Sequence, residues 1–202
     1  VMPGSIQMLA TQCLSTGRPI QALDLMQAPA DGSVKVRLAE FAWLVKNHVR
    51  ALGYHRLGLP CQLMSTGMAF TWSHISNANL NTGNIVEDMQ LGIDLALTGT
   101  PPIFCPDALV TSLFPSAEAS LQTQRTRWEH GHLGVILTQV PSLLWQSVVG
   151  VNGTLLAMTL DLCVPPLALL TVLTVGVFMA SLALAGLAQS MLPALMAGIA
   201  CG

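Results

Sequence analysis

Charge is what this chain has least of. Asp, Glu, Lys and Arg make up 9% of its 202 residues and hydrophobic residues 52%, whereas an ordinary soluble domain carries about 25% charged residues. The shortage is uneven. All eight Lys and Arg lie between Arg18 and Arg127, together with eight of the ten acids, and from residue 130 onward the only full charge is Asp161. The first part of the chain therefore reads as soluble and the last part as lipid-like. A net charge of −2 lacks the basic excess that nucleic-acid binding needs, so no nucleic acid is expected as a partner. The five cysteines (Cys13, Cys61, Cys105, Cys163 and Cys201) are odd in number and form no C-x-x-C. That argues against a disulfide framework or a zinc ribbon and fits a reducing compartment. A signal peptide is lacking too: "VMPGSIQML" has no basic region, no long apolar core and no initiator Met. With its "MAGIACG" ending, the chain reads as a piece of something longer.

Periodicity divides the first part into elements. Residues 1–16 suggest a short helix after a Pro-Gly turn, with Ile6, Leu9, Ala10 and Cys13 on one stripe. "PIQALDLM", residues 19–26, suits a strand, and "APADGS" a loop. A helix is predicted from Ser33 to Leu52, stopped by Gly53. Its basic residues among apolar ones suit either a solvated amphipathic helix or one lying on a membrane surface. "GLPCQLMSTGMAFTW", residues 58–72, has no charge and reads as a buried turn and strand, with Trp43 and Trp72 expected in the core. Val86, Met89, Gln90, Ile93 and Leu97 share a helical face, which places Glu87 and Asp88 at that helix's start. "IFC" and "ALV" then look like two short strands.

The second part is apolar. Residues 133–150 are uncharged but interrupted by Pro141, which suits an interfacial helix. Residues 162–188 contain no charge, and a bilayer core needs about 20 such residues, so a transmembrane helix is predicted there. Residues 191–202 read as a possible truncated second span. Because every Lys and Arg precedes the span, the first part is expected in the cytoplasm.

Two short stretches carry candidate chemistry. Glu87 and Asp88 are either first-turn acids that suit the helix dipole or a general base that takes a proton from an attacking hydroxyl. In "QTQRTRWEHGH", residues 122–132, the spacing Q-x-x-R-W joins Gln124, Arg127 and Trp128, with Arg125 between them. Arg can grip a diphosphate through paired hydrogen bonds, and an indole face can stack on a sugar ring. The alternative is a basic helix end with a Trp at a membrane interface. His130 and His132, an i, i+2 pair beside Glu129, do not share a helical face and make a weak metal site. "NGT" at residues 152–154 is a glycosylation sequon that carries no argument here.

Taken together, "STGMAF", "VED", "QRTRW" and the apolar tail resemble the membrane-bound glycosyltransferases of family 2, the cellulose-synthase-like and bacterial exopolysaccharide-synthase branch. The resemblance implies an α/β fold: a partial GT-A glycosyltransferase domain (residues 1–132, the acceptor side), an interfacial segment (133–150) and a transmembrane region (151–202). It implies an inverting transferase that moves a sugar from a nucleotide-sugar donor to a glycan or lipid-linked acceptor, in polysaccharide biosynthesis at the cytoplasmic face of a bacterial inner membrane. By resemblance Asp88 is the base and Glu87 its supporting neighbour. Gln124, Arg125, Arg127 and Trp128 line the acceptor end and the donor's diphosphate, and Ser65, Thr66 and Gly67 lie beside the acceptor. Such enzymes hold Mg2+ or Mn2+ through D-x-D, a motif this sequence lacks. The chain is therefore expected to begin just after that motif, with the metal bound in a full-length parent and no metal ligands here. The rival expectation is a non-catalytic membrane protein, either a transporter accessory subunit or an inactive synthase fragment.

Overall fold

In the computed structural model, which describes residues 1–76, 86–114, 118–165 and 167–188 (without the side chains of 118–122, 124, 125, 167, 168 and 185–188), the central element is strand β1 (Ile20–Gln27). Ile20 to Asp24 are all buried, as expected of a strand covered on both faces. It pairs antiparallel with the two-residue β2 (Met68–Ala69) and parallel with β3 (Ile103–Leu113), in the order β2-β1-β3. The two strands expected at "IFC" and "ALV" are thus one. Ala22 lies opposite Cys105 while Leu23 lies opposite Leu109, so Pro106, Asp107 and Ala108 bulge out. A bulge accommodates a proline, which has no N–H to give to a ladder. Ser5 closes the irregularity: the Leu109 N–H donates to its Oγ at 3.0 Å, and that hydroxyl donates to the Leu109 carbonyl at 3.2 Å.

The two faces of β1 bury different residues, as a period of two dictates. Ile20 and Ala22 pack with Leu9 and Cys13 of α1 (Ser5–Thr16) and with Cys105 and Ala108. Leu23 packs with Ala51, Cys61 and Phe104. The helix predicted to stop at Gly53 continues instead. It runs as α2 (Val34–Leu44), a π-helical turn (Val45–Arg50) and α3 (Ala51–Arg56). Gly58, at φ +69°, supplies the left-handed stop that a β-carbon would oppose. Along the outside run Val34, Leu38, Phe41, Val45 and Val49, all exposed. Trp72, expected in the core, is 81% exposed, because it opens the short α4 (Trp72–Ser76) beyond the end of β2.

Helix α5 (Glu87–Leu97) buries two faces rather than one. Met89, Ile93 and Ala96 join a cluster with Val135, Leu143, Leu155, Met158 and Leu162, while Leu91 and Leu95 pack on Leu63. Leu97, placed on the buried face by periodicity, is exposed. Residues 133–150 are not a separate element. They continue α6 (Glu118–Val149), a 32-residue helix that passes through Pro141, so a boundary at 132/133 falls within one rod. Its inward side chains meet α7 (Gly153–Leu162), where Met158 and Leu162 are 2% and 1% exposed. Burial of that kind contributes about 1.5–3 kcal/mol per side chain. Leu137, Trp145 and Val148 on the outer face remain exposed. Asn152 caps α7 by accepting the Leu155 N–H at 3.0 Å.

Val1–Cys163 and Val164–Gly202 form two units. In the second, the helix expected over 162–188 begins at Leu167 (α8, Leu167–Ala188), because Leu162 completes α7 and a residue before proline disfavours helix. Over residues 169–184, where side chains are described, α8 presents Val172, Val175, Val177 and Leu184 to the outside. No helix among the described residues is long and apolar enough to cross a membrane. Residues 191–202 lie outside the described residues.

Candidate active site

The site is built on a loop that β1 holds by a buried glutamine. Gln21, with no exposed surface, accepts the Met64 N–H through Oε1 at 2.7 Å and donates from Nε2 to the carbonyls of Thr66 at 2.8 Å and Ala22 at 2.9 Å. The next rung comes from Ala22, whose N–H donates to the Gly67 carbonyl at 2.7 Å. Between these anchors the backbone turns sharply, with Ser65 at φ 60° and Gly67 at φ 67°. A non-glycine residue in that region marks strain, which over-determined surroundings sustain. The turn aims the Ser65 hydroxyl at Asp88, to whose Oδ2 it donates at 2.6 Å.

Asp88 stands in the first turn of α5, where a carboxylate suits the positive end of the helix dipole. Its other oxygen accepts the Met89 N–H at 2.8 Å. The carboxylate is therefore oriented from two sides yet half-buried, open to a substrate. Glu87, its neighbour, is exposed.

Trp128 is half-buried against Trp43, with ring centroids 5.4 Å apart and planes at 45°. Trp43 also meets Phe114 edge-on at 6.2 Å and donates from Nε1 to the Asp24 carbonyl at 3.2 Å. The Lys46 ammonium lies 5.8 Å from the centre of the Trp43 ring, within cation–π range. Asp24 itself is 2% exposed. Burial pushes its carboxyl pKa above the usual range, against the pull of Thr66, Trp43 and Lys46.

Beside this wall lies a cavity of about 20 Å³ lined by Lys46, Arg50, Tyr54, Gln62, His132 and Asp161, among others, room for about one water. Arg50 Nε meets Asp161 Oδ1 at 3.0 Å. The contact is an ion pair without the alignment of a hydrogen bond, and that oxygen has no hydrogen-bond partner among the described residues. Burial outweighs Arg50 and Lys46 and raises the Asp161 pKa. Gln62 donates to the Met158 carbonyl at 3.2 Å, and His132 Nε2 lies 3.0 Å from the Leu162 carbonyl. Burial lowers the His132 pKa against that hydrogen bond.

The structure thus joins Ser65 to Asp88 and Trp128 to Trp43, with the Lys46 ammonium over the Trp43 ring. Thr66 and Arg127 are exposed. The side chains of Gln124 and Arg125 lie outside the described residues. His130 is exposed and His132 buried, so the pair diverges. Sequence reading missed Gln21, Asp24, Lys46 and the Arg50–Asp161 pair. Asp161 alone left a signal, as a single acid in an otherwise uncharged stretch.

Compared with known proteins, residues 24–201 match a family model described as glycosyl transferase family group 2. No curated protein and no solved structure matches significantly.

Proposed function

We infer the reaction from one premise: the chain belongs to glycosyl transferase family group 2, and it is a glycosyltransferase. The α/β unit with its small three-stranded sheet fits a GT-A domain, and residues 1–132 supply its acceptor side. Asp88 takes the proton from an acceptor hydroxyl. The freed oxygen attacks the anomeric carbon of a nucleotide sugar from the face opposite the diphosphate. The bond from that carbon to the diphosphate oxygen breaks, the nucleoside diphosphate leaves with the electron pair, and the anomeric configuration inverts. By the Q-x-x-R-W motif, Gln124, Arg125 and Arg127 are assigned to the acceptor end and to the charge that grows on the leaving diphosphate. Trp128 offers a stacking face to the sugar, and Glu87 stands beside the base as its neighbour.

The observation that carries this reading is the 2.6 Å hydrogen bond from Ser65 to Asp88, which ties the small-residue loop to the acid. A base must be held at a defined angle to the hydroxyl it serves. A divalent cation, Mg2+ or Mn2+, would neutralise the diphosphate when bound. The D-x-D that would hold it is absent from this sequence, so no step runs through the cation.

The acceptor in this proposal is a glycan or a lipid-linked sugar, presented at the cytoplasmic face of a bacterial inner membrane during polysaccharide synthesis. Support comes from the outward Leu137, Trp145 and Val148 of α6 and from the uncharged α8 with its exposed apolar side chains. The test is Asp88→Asn in the full-length enzyme. Removing a general base costs about 10²–10⁴-fold in rate, while donor binding measured by titration stays intact. Transfer at the wild-type rate would refute the assignment.

A further inference from the structure

Trp128 stands on a stretch of α6 where Thr126, Arg127 and His130 are exposed. Among the described residues, the ring contact that seats it is with Trp43, across 5.4 Å. That is inside the range of about 4.5–7 Å over which aromatic pairs attract. The plane of the Trp128 indole therefore depends on what fixes Trp43.

Trp43 is fixed from both strands of the parallel pair. A tryptophan side chain has two torsions. The indole N–H is given to the Asp24 carbonyl of β1 at 3.2 Å, and the ring meets Phe114 edge-on at 6.2 Å. Phe114, buried just past the end of β3, gives its own N–H to the Gln27 carbonyl of β1 at 2.9 Å. Two contacts at different points of one ring determine both torsions. The buried Asn47 amide donates to the same Asp24 carbonyl at 3.2 Å, which holds the helix bearing Trp43 against that strand. With Asp24, Phe114, the Lys46 ammonium and Trp128 all about it, Trp43 is the support, and Trp128 is the face left for a sugar. β1 thus anchors both halves of the site. Gln21 holds the loop that brings Ser65 to Asp88, and three positions later the Asp24 carbonyl holds the indole pair.

We propose that Trp43 is a positioning residue of the transferase site: it sets the plane of the Trp128 indole, and with it the angle at which the acceptor sugar lies toward the base. The proposal rests on the reading of Trp128 as the stacking face. A sugar stacked on a tilted indole presents its hydroxyl off line, and a displacement near 1 Å can cost about a hundredfold in rate.

The experiment uses the full-length enzyme with Trp43→Leu, Trp43→Phe and Trp128→Leu, the last also combined with each of the other two. Transfer is measured from the nucleotide sugar that the wild type turns over, among UDP- and GDP-hexoses, to a soluble oligosaccharide of varied concentration. Trp43→Leu should lose about ten- to a hundredfold in kcat/KM for the oligosaccharide, with donor KM within about twofold. Trp43→Phe, which keeps a ring but not the N–H, should lose only about threefold, within the worth of a single aromatic contact. Once Trp128→Leu is present, either change at Trp43 should cost less than about twofold more, because residues that act through one another do not add. A wild-type kcat/KM in Trp43→Leu overturns the proposal, and so does a Trp43→Phe as poor as Trp43→Leu. Equal losses with and without Trp128→Leu also overturn it, since loss of packing alone gives that result; if Trp43→Leu does not fold, Trp43→Phe in the two backgrounds decides. Normal transfer by Trp128→Leu alone removes the stacking assignment instead, whereas an impaired Trp128→Leu beside an unimpaired Trp43→Leu removes the proposal and leaves that assignment standing.

Discussion

Replacing Gly67 by alanine should damage the enzyme twice, through stability and through geometry. Gly67 sits at φ +67°, and a left-handed backbone costs an L-residue about 1–2 kcal/mol. A β-carbon there would come within 2.8 Å of the Ala22 Cβ and 2.9 Å of the Val110 Cγ2. Ala22 belongs to the buried central strand and cannot retreat without moving β1. Forcing one methyl into such packing costs about 1–3 kcal/mol more. The expected loss is about 2–5 kcal/mol, to be measured by urea unfolding of wild type and variant followed by Trp fluorescence. In the fraction that folds, relief of the clash must push the turn outward and carry Ser65 away from Asp88, whose bond is 2.6 Å. A displacement near 1 Å can cost about a hundredfold in rate, so kcat per folded molecule should fall as well. A Gly67→Ala enzyme within about 0.5 kcal/mol of wild type, the range of an inconsequential surface change, would show that the close approach is not real.

The remaining predictions concern the buried polar groups. Asp161→Leu leaves Arg50, whose side chain is 23% exposed, without its partner and should destabilise by about 3 kcal/mol. The double change Arg50→Met with Asp161→Leu should cost less than Asp161→Leu alone, because the burial that raises the Asp161 pKa opposes the pair's attraction. A double-mutant cycle by chemical denaturation checks both. For His132 the folded pKa is lowered, so the unfolded chain binds the extra proton first. Stability is intact above the unfolded value of about 6.5 and falls as pH drops from there toward the lowered folded value. Melting temperatures of wild type and His132→Asn across that range should converge as pH falls; a constant difference would contradict the assignment.

What could be read in advance was what depends on neighbours along the chain. β1, α1 and the start of α5 follow from period, from Gly and Pro, and from acids at a helix start. The continuation of α2 past Gly53 was not legible, because one glycine costs a helix only about 1 kcal/mol and the contacts of Ala51 and Leu52 outweigh it. The union of "IFC" and "ALV" depends on Ser5 satisfying Leu109, a contact between residues distant in sequence. Gln21 and Lys46 look like ordinary polar residues on a strand and a helix. Only the folded chain brings Gln21 under the loop of residues 64–66 and Lys46 over Trp43. Trp72 was misplaced because a large aromatic says nothing of which side of an edge it occupies.

The length of α6 has a mechanical consequence. Glu118–Val149 is one helix, about 48 Å long at 1.5 Å per residue, with Arg127 and Trp128 toward one end and Leu137, Trp145 and Val148 on its outer face toward the other. A tilt applied to the far arm would be carried along one continuous helix to Arg127 and Trp128.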